Sequence, residues 1–254
     1  MNTQMYNAQA DTIKINDIVT NKFNRELLSN ISGNVKGIEG ATDSIEQLWI
    51  RDVVEDETDY IPEGVDDMGW LGYFVGKNEH IEELFIRYFE APSGVSFMEM
   101  LESFLRGVNN SKSITTLDFR IDLLDGRVFS MLGPFFENSA TFAHLQIDQC
   151  TLGDDGWRLL ALAIGSSKHK SLVSVVLSQN NISDEALVDI ITAMSMHPHL
   201  QHIDLADNLL HNNGCNALAT LMQNSATQLQ HLDLGNNEID DESISALVPA
   251  LKLS

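Results

Sequence analysis

The sequence predicts an α/β solenoid in which short parallel strands alternate with helices. One apolar template occurs seven times, and it starts at Ile45, Ile81, Ile114, Phe142, Leu172, Leu200 and Leu229. The last four steps between copies are 28, 30, 28 and 29 residues, by subtraction of these starting positions. Self-similarity at a period of roughly 20–50 residues is typical of solenoids, in which each unit stacks on its neighbours.

Each copy begins with a pattern that predicts a short strand. If the first apolar residue is position 1, positions 4 and 6 are apolar in every copy. Position 6 holds Ile50, Ile86, Phe119, Ile147, Leu177, Leu205 and Leu234. Apolar residues two apart, with variable residues between them, indicate a strand that has one buried face.

The spacer after each strand has the period of a helix. Ten residues after position 9, an aliphatic residue recurs as Leu132, Leu160, Ile190, Leu218 and Leu247. Four residues further on, a second apolar residue follows each of them, as Phe136, Ile164, Met194, Met222 and Leu251. This spacing places both sets on one stripe of a helix. Ser183 and Asp240 stand where helix caps are expected.

Position 9 predicts a stack of polar side chains at the turn after the strand. It holds Cys150, Asn180, Asn208 and Asn237. Amide side chains at such a turn can bond the backbone groups that the turn leaves without partners. We expect a structural role for all four residues.

The repeats resemble the leucine-rich repeat family, in its ribonuclease-inhibitor-like subclass. The segments LQHIDLADNLL at 200–210 and LQHLDLGNNEI at 229–239 carry the pattern L-x-x-L-x-L-x-x-N/C-x-L. The resemblance covers residues 114–251, weakens over 45–113 and does not include 1–44. It implies a horseshoe with a parallel concave sheet and helices on the convex face. Ribonuclease inhibitors and Ran GTPase-activating proteins share this architecture, so the resemblance does not select one activity.

Two parts of the chain depart from the repeat pattern. Residues 1–44 are predicted to form an N-terminal cap, or a degenerate repeat, in front of a seven-repeat array at 45–254. Residues 52–67, called the acidic segment below, carry eight carboxylates and no Lys or Arg. This composition is typical of a solvated loop, and the alternative is a loop that folds back onto nearby arginines. The aromatic residues of 70–76 are expected in the core of the following helix.

The charge of the chain restricts its partners. The formal net charge is −22, with 15 basic and 37 acidic residues. Nucleic acids and anionic membranes require a basic footprint, so neither is an expected partner. Two cysteines indicate no disulfide framework, and no signal peptide or membrane-spanning run is evident. We therefore expect an intracellular, cytoplasmic protein.

The end of the array lacks a visible capping unit. The sequence stops shortly after the seventh predicted helix, which contains Pro249. Solenoids normally finish with an atypical repeat that covers the last apolar face. We expect that this end self-associates or frays, or that the array belongs to a longer one.

The N-terminal third of the predicted concave face carries the candidate partner-binding residues. Positions 5 and 7 point away from the core, and Tyr88 lies just beyond them. The set comprises Trp49, Arg51, Phe85, Arg87, Tyr88 and Arg120. Aromatic residues and arginine dominate interface energetics, and aligned guanidiniums suit an acidic peptide with an apolar anchor. The alternative is that the acidic segment neutralises these arginines.

A second cluster offers metal-ligand residue types at the other end of the array. His202 and His231 are expected side by side, with Asp204 and Asp233 next to them. Such residues can bind Zn²⁺, but Asp is ordinary at position 5 of these repeats, and a flat strand face rarely closes to tetrahedral geometry. No metal or other cofactor is predicted.

The sequence favours a binding protein over an enzyme. It shows no nucleophile–base arrangement and no glycine-rich phosphate motif. We expect a non-enzymatic scaffold that binds a protein partner on the concave face. The alternative is a regulator of an enzyme, which either inhibits a basic hydrolase or activates a small GTPase.

Overall fold

The computed structural model describes residues 3–36, 45–122, 124–224 and 228–251. The chain divides into two compact units, one ending at Leu117 and the other beginning at Asp118. Each unit is described by itself. No helix in the described ranges is both long enough and apolar enough to cross a bilayer.

The first unit contains three N-terminal helices followed by strands and helices in alternation. Its elements are α1 (Thr3–Gln9), α2 (Ile15–Ile18), α3 (Lys22–Lys36), β1 (Gln47–Ile50), β2 (Asp59–Tyr60), α4 (Val65–Val75), β3 (Glu83–Arg87) and α5 (Phe97–Val108). The strands are parallel in the order β2-β1-β3. In the β1–β3 register, Leu48 lies opposite Leu84 and Trp49 opposite Phe85.

The second unit repeats strand and helix to the end of the described residues. It comprises β4 (Thr116–Arg120, whose first two residues belong to the first unit), α6 (Arg127–Met131), α7 (Gly133–Asn138), β5 (His144–Ile147), α8 (Gly153–Ser166), β6 (Ser174–Val176), α9 (Asp184–Met194), β7 (His202–Asp204), α10 (Asn212–Gln223), β8 (His231–Asp233) and α11 (Asp241–Leu251). Strands β5 to β8 pair in parallel with their chain neighbours.

The predicted fold class, an α/β leucine-rich-repeat solenoid, is confirmed. Each of the seven predicted strands forms at its expected position. Leu177 and Leu205 at position 6 are completely buried. Leu234 is only half-buried, because β8 is the last strand in the order and no strand follows it among the described residues.

The predicted helices and their caps are also found in the second unit. The aliphatic residues ten positions after position 9 are all buried. The Ser183 hydroxyl caps α9 by accepting a hydrogen bond from Ala186 N at 3.3 Å, and the Asp240 carboxylate accepts one from Ser243 N at 2.9 Å at the start of α11. The side chain of Leu251 lies outside the described residues.

A ladder of side-chain amides joins successive turns of the second unit. Asn208 donates to Leu177 O at 2.8 Å, and its oxygen accepts from Asn180 N at 3.3 Å and Ile182 N at 2.9 Å. Asn180 and Asn237 make the equivalent donor contacts to Ile147 O and Leu205 O, at 2.6 and 2.8 Å. Each amide therefore satisfies the turn of the repeat before it.

Cys150 occupies the first rung of this ladder and differs from the asparagines. Its Sγ accepts from Ile121 N at 3.3 Å, and its own backbone N donates to Asn180 Oδ1 at 2.7 Å. Burial raises the pKa of the Cys150 thiol to about 11, and nearby carboxylates add to the effect. The neutral thiol therefore has a structural role here.

The N-terminal segment is helical over residues 3–36 and contains no strand there. A strand–turn–helix repeat is thus not present in this part, while residues 37–44 lie outside the described range. Asn24 of α3 accepts a hydrogen bond from Ile61 N at 2.9 Å. Glu63 accepts from the backbone N of Thr20 and Asn21 at 2.7 and 2.9 Å. These bonds fix α3 beside β2.

The expectation that the acidic segment is a solvated loop is wrong for part of its length. Asp59 and Tyr60 form β2, which pairs with β1, and both residues are buried. Helix α4 begins at Val65, so the segment's last residues belong to a helix. The predicted helical aromatics Trp70, Tyr73 and Phe74 are buried. Backbone pairing and burial of Tyr60 outweigh the preference of the neighbouring carboxylates for water.

Asp67 is a buried carboxyl at the start of α4. Its Oδ2 accepts from Tyr60 Oη at 3.1 Å and from Glu63 N at 2.9 Å. Its Oδ1 is buried without a hydrogen-bond partner among the described residues. Burial raises the pKa of Asp67 to about 6, although these hydrogen bonds oppose the shift.

The amide ladder gives a test of repeat stacking. Asn208→Ala should lower the free energy of unfolding by about 2–3 kcal/mol, because buried backbone groups of Leu177, Asn180 and Ile182 lose their partner. Asn237→Ala is the matched control, and it should cost less than about 1 kcal/mol because water can reach this half-buried rung. Urea unfolding followed by circular dichroism measures both. Equal losses would contradict a ladder that depends on burial.

The raised pKa of Asp67 predicts a pH dependence of stability. The folded carboxyl takes up a proton near pH 6, whereas the unfolded carboxyl does so near its ordinary value of 3.8. The folded state is therefore stabilised as pH falls from about 7.5, by roughly 1.4 kcal/mol at pH 5 and by up to about 3 kcal/mol once the pH is below the unfolded pKa. Asp67→Asn should remove this slope in urea unfolding. Asp59 and Glu63 have lowered pKa values, so the stability they contribute is lost only below about pH 4.5. A slope that persists in Asp67→Asn would count against this assignment.

Candidate protein-binding surface

Trp49 and Phe85 form an aromatic pair on one face of the first unit's sheet. They are cross-strand neighbours, and their rings stack with centroids 4.0 Å apart and an interplanar angle of 7°. Leu48 and Ile50 on either side of Trp49 are completely buried, whereas the paired rings are partly exposed. Alternation along the strands therefore turns the aromatic pair to the face opposite the core.

Arg51 lies beside this pair and is held by the acidic segment. Its Nε and Nη2 donate to the two oxygens of Asp59 at 3.0 and 2.7 Å, and its Nη1 donates to Glu55 at 2.7 Å. The guanidinium carbon lies 5.0 Å from the centroid of the Trp49 ring. For Arg51, the structure thus supports the alternative of internal pairing.

The hydrogen bonds around Asp59 stabilise its ionised form. Burial opposes ionisation, but the bonds from Arg51 and from the backbone N of Glu55 and Asp56 outweigh it and hold the pKa of Asp59 below its ordinary value. The bond to Asp59 in turn raises the pKa of Arg51. The pair is therefore charged at neutral pH, and it fixes the end of β1 to β2.

Arg87 flanks the aromatic pair from the neighbouring strand. Its guanidinium carbon lies 5.0 Å from the Trp49 ring centroid and 5.9 Å from that of Phe85. Arg51 and Arg87 therefore both contact the aromatic surface. Cation–π contact of this kind restrains the rings in one orientation.

The other two predicted site residues have different surroundings. Tyr88 is 56% exposed, and its ring stacks against Phe97 at 5.4 Å between centroids. Arg120 belongs to the second unit, where its guanidinium pairs with the carboxylate of Asp148. The structure brings Trp49, Phe85, Arg51 and Arg87 together, and the carboxylate that binds Arg120 is not part of the acidic segment.

The sequence analysis gave the acidic segment as an alternative partner of the arginines, but it did not single out Asp59 and Glu55 within that segment, and it did not name Asp148. Asp148 could have been found, because it occupies position 7 one repeat after Arg120 at the same position. Strand neighbours at equal positions lie about 4.8 Å apart. Asp59 and Glu55 could not be located in this way, because the acidic segment lies outside the repeat pattern and its residues have no repeat position.

The charge around the aromatic pair differs from the prediction. Gln47 donates to Glu83 at 2.6 Å on one side, and Asp52 accepts from Glu90 N at 2.7 Å on the other. Glu55 and Asp59 bind Arg51 directly. These bonds leave Arg51 fewer donors for the acidic peptide that the arginines alone suggested.

His202 and His231 form a second stack, on the sheet of the second unit. Their rings are parallel, with centroids 4.5 Å apart. Burial lowers the pKa of His202, and His231 lowers it further, while Asp204 and Asp233 act in the opposite direction. Across the described residues, no three His, Cys, Asp or Glu side chains are grouped so that they could hold a metal ion.

Comparison with known proteins supports the repeat assignment. Residues 168–190, 197–219 and 226–248 match the family model described as leucine rich repeat. Among curated proteins, none matches the sequence significantly.

One solved structure with some likeness is the tropomodulin C-terminal domain of Caenorhabditis elegans. It has 13% sequence identity and a TM-score of 0.45, over 62% of this chain and 92% of that chain. A likeness of this size carries no conclusion about function. The family matches place leucine-rich repeats in the second unit, within residues 168–248.

Proposed function

We propose that this protein is a non-enzymatic protein-interaction scaffold, and that the aromatic pair anchors a protein partner on the sheet face. One observation carries this proposal: two large rings lie partly exposed and stacked at 4.0 Å on the face opposite the core. Such rings supply a large contact area and are the residue types that dominate interface energetics. Leucine-rich repeats in the same chain support the general role of a scaffold.

The arginines have a positioning role in this proposal. Arg51 uses its donors on Asp59 and Glu55, so it offers few to a partner. Together with Arg87 it holds the Trp49 ring from the side. A ring that is already ordered loses little conformational entropy on binding, which favours affinity.

The wider assignments are also proposals. The ribonuclease-inhibitor-like subclass is supported by the repeat length of 28–30 residues and by a helix after each strand of the second unit. A cytoplasmic location is supported by Cys150 and Cys215, which are both buried and not disulfide-bonded.

Substitution of Trp49 tests the anchor. Wild-type protein, Trp49→Ala and the control Gln146→Ala should be used to capture partners from cell extract, followed by mass spectrometry. Gln146 occupies the same repeat position in the second unit and is also half-exposed. A partner of the aromatic pair is retained by wild type and Gln146→Ala and lost with Trp49→Ala.

The affinity of that partner for wild type and variant then measures how much Trp49 contributes to binding. Trp49→Ala should weaken the purified complex by at least about 2 kcal/mol, or roughly 30-fold in Kd, because a central aromatic anchor is removed. Isothermal titration calorimetry measures the change, and circular dichroism checks that the variant is folded. Equal affinities for Trp49→Ala and wild type would refute the proposed anchor.

A further inference from the structure

A second concave feature of the first unit lies between α3 and the acidic segment. It is a groove of about 510 Å³. One wall is the face of α3 that carries Phe23 and Leu27, and the other is formed by residues 54–59 and the start of β1. We call it the acidic groove.

The helical wall of the acidic groove presents apolar surface. The lining residues of α3 are Phe23, Glu26, Leu27 and Asn30, which are spaced three, four and seven positions from the first. This spacing places them along one face of the helix over roughly 10 Å. Phe23 is 57% exposed, so its ring offers apolar surface to the groove. Val54 adds half-exposed apolar surface on the opposite wall.

The rim of the acidic groove is negatively charged. Glu26, Glu46, Glu55, Asp56 and Glu57 are exposed around it. Neither Lys nor Arg is found among the described residues that line it. Of the five carboxylates, Glu55 is neutralised by Arg51. Glu26, Glu46 and Glu57 make no ion pair with any described residue.

We propose that the acidic groove binds a short basic segment of a partner protein, with an apolar side chain packed on Phe23 and flanking Lys or Arg side chains on the rim. Exposed apolar surface with a charged rim is typical of an interaction site. Charge complementarity selects a basic occupant, since each flanking cation gains a carboxylate and an acidic peptide is repelled.

The size of the groove limits the occupant to a short stretch of chain. A length of roughly 10 Å matches about three extended residues or two turns of a helix. Such a contact supplies one apolar anchor and two or three cations. This site is separate from the aromatic pair, because none of its lining residues is Trp49 or Phe85.

A labelled peptide that alternates arginine and leucine tests this site, with fluorescence anisotropy as the measurement. One control peptide has glutamate in place of arginine, and another has glycine in place of leucine. The groove variants are Phe23→Ala and the triple variant Glu26→Gln, Glu46→Gln, Glu57→Gln. The control triple Asp122→Asn, Glu185→Gln, Asp241→Asn removes the same charge from exposed positions of the second unit. Leu162→Ala, at a side chain that is 70% exposed, is the control for Phe23→Ala.

The triple variant should raise the Kd of the alternating peptide at least about fivefold, since each exposed ion pair changes Kd by up to roughly fivefold. Phe23→Ala should also raise the Kd at least about fivefold, because the leucine of the peptide loses the ring on which it packs. The control variants should stay within about twofold of wild type, and both control peptides should bind more weakly. An equal loss with the control triple would show nonspecific attraction to an acidic chain and overturn the proposal. So would unchanged binding by Phe23→Ala.

The same assay separates this proposal from the proposed function. Trp49→Ala should leave peptide binding unchanged, because the aromatic pair does not line the groove. If Trp49→Ala weakened peptide binding and Phe23→Ala did not, the peptide would bind on the sheet face, and the proposed role of the acidic groove would be refuted. Conversely, a partner captured through Trp49 supports the aromatic pair whatever the peptide result.

Discussion

Stacking in the second unit depends on the buried amides that follow its strands. Each asparagine of the ladder donates to a carbonyl of the repeat before it and accepts from that repeat's backbone N–H groups. Asn208 and Asn237 also donate to carbonyls of their own turns, so each of these amides bonds to two successive repeats. A repeat that lost its neighbour would leave the bonded backbone groups unpaired in a dry environment, where each costs about 1–3 kcal/mol. The polar ladder thus sets the register in which the apolar side chains beneath it are packed.

The alternation that buries the core also produces the candidate binding surface. In the first unit, Leu48 and Leu84 face the core in one register pair, and Trp49 and Phe85 follow in the next. A parallel register fixed by burial therefore forces the two rings into contact. The surface follows from core packing, so a change that slipped β1 by one residue would bury Trp49 and expose Leu48.

The periodic part of the chain was predictable, and the parts outside the period were not. Repeat spacing located the seven strands, the helix stripes and the asparagine ladder, because each pattern recurs and each copy supports the others. The contact of Trp49 with Phe85 followed from their equal repeat positions. The two-residue strand β2 occurs once, in a segment whose eight carboxylates indicated a solvated loop. Its pairing with β1 is a tertiary contact that composition cannot reveal, whereas its bonds to Arg51 agree with the alternative that the segment's charge suggested. The acidic groove was missed for the same reason, since its two walls come from segments about 30 residues apart with no shared period.

The pairing of arginines with carboxylates of the same chain follows from the scarcity of basic residues. The chain has 15 Lys and Arg against 37 Asp and Glu, so carboxylates compete for each guanidinium. Arg51 is bound by two of them and Arg120 by a third. Both arginines therefore hold strands and segments of this chain in place, and Glu26, Glu46 and Glu57 on the rim of the acidic groove make no ion pair among the described residues. Internal pairing of Arg51 and Arg120 reduces what these two guanidiniums can offer an acidic ligand, and the acidic groove is the part of the surface for which we propose a basic one.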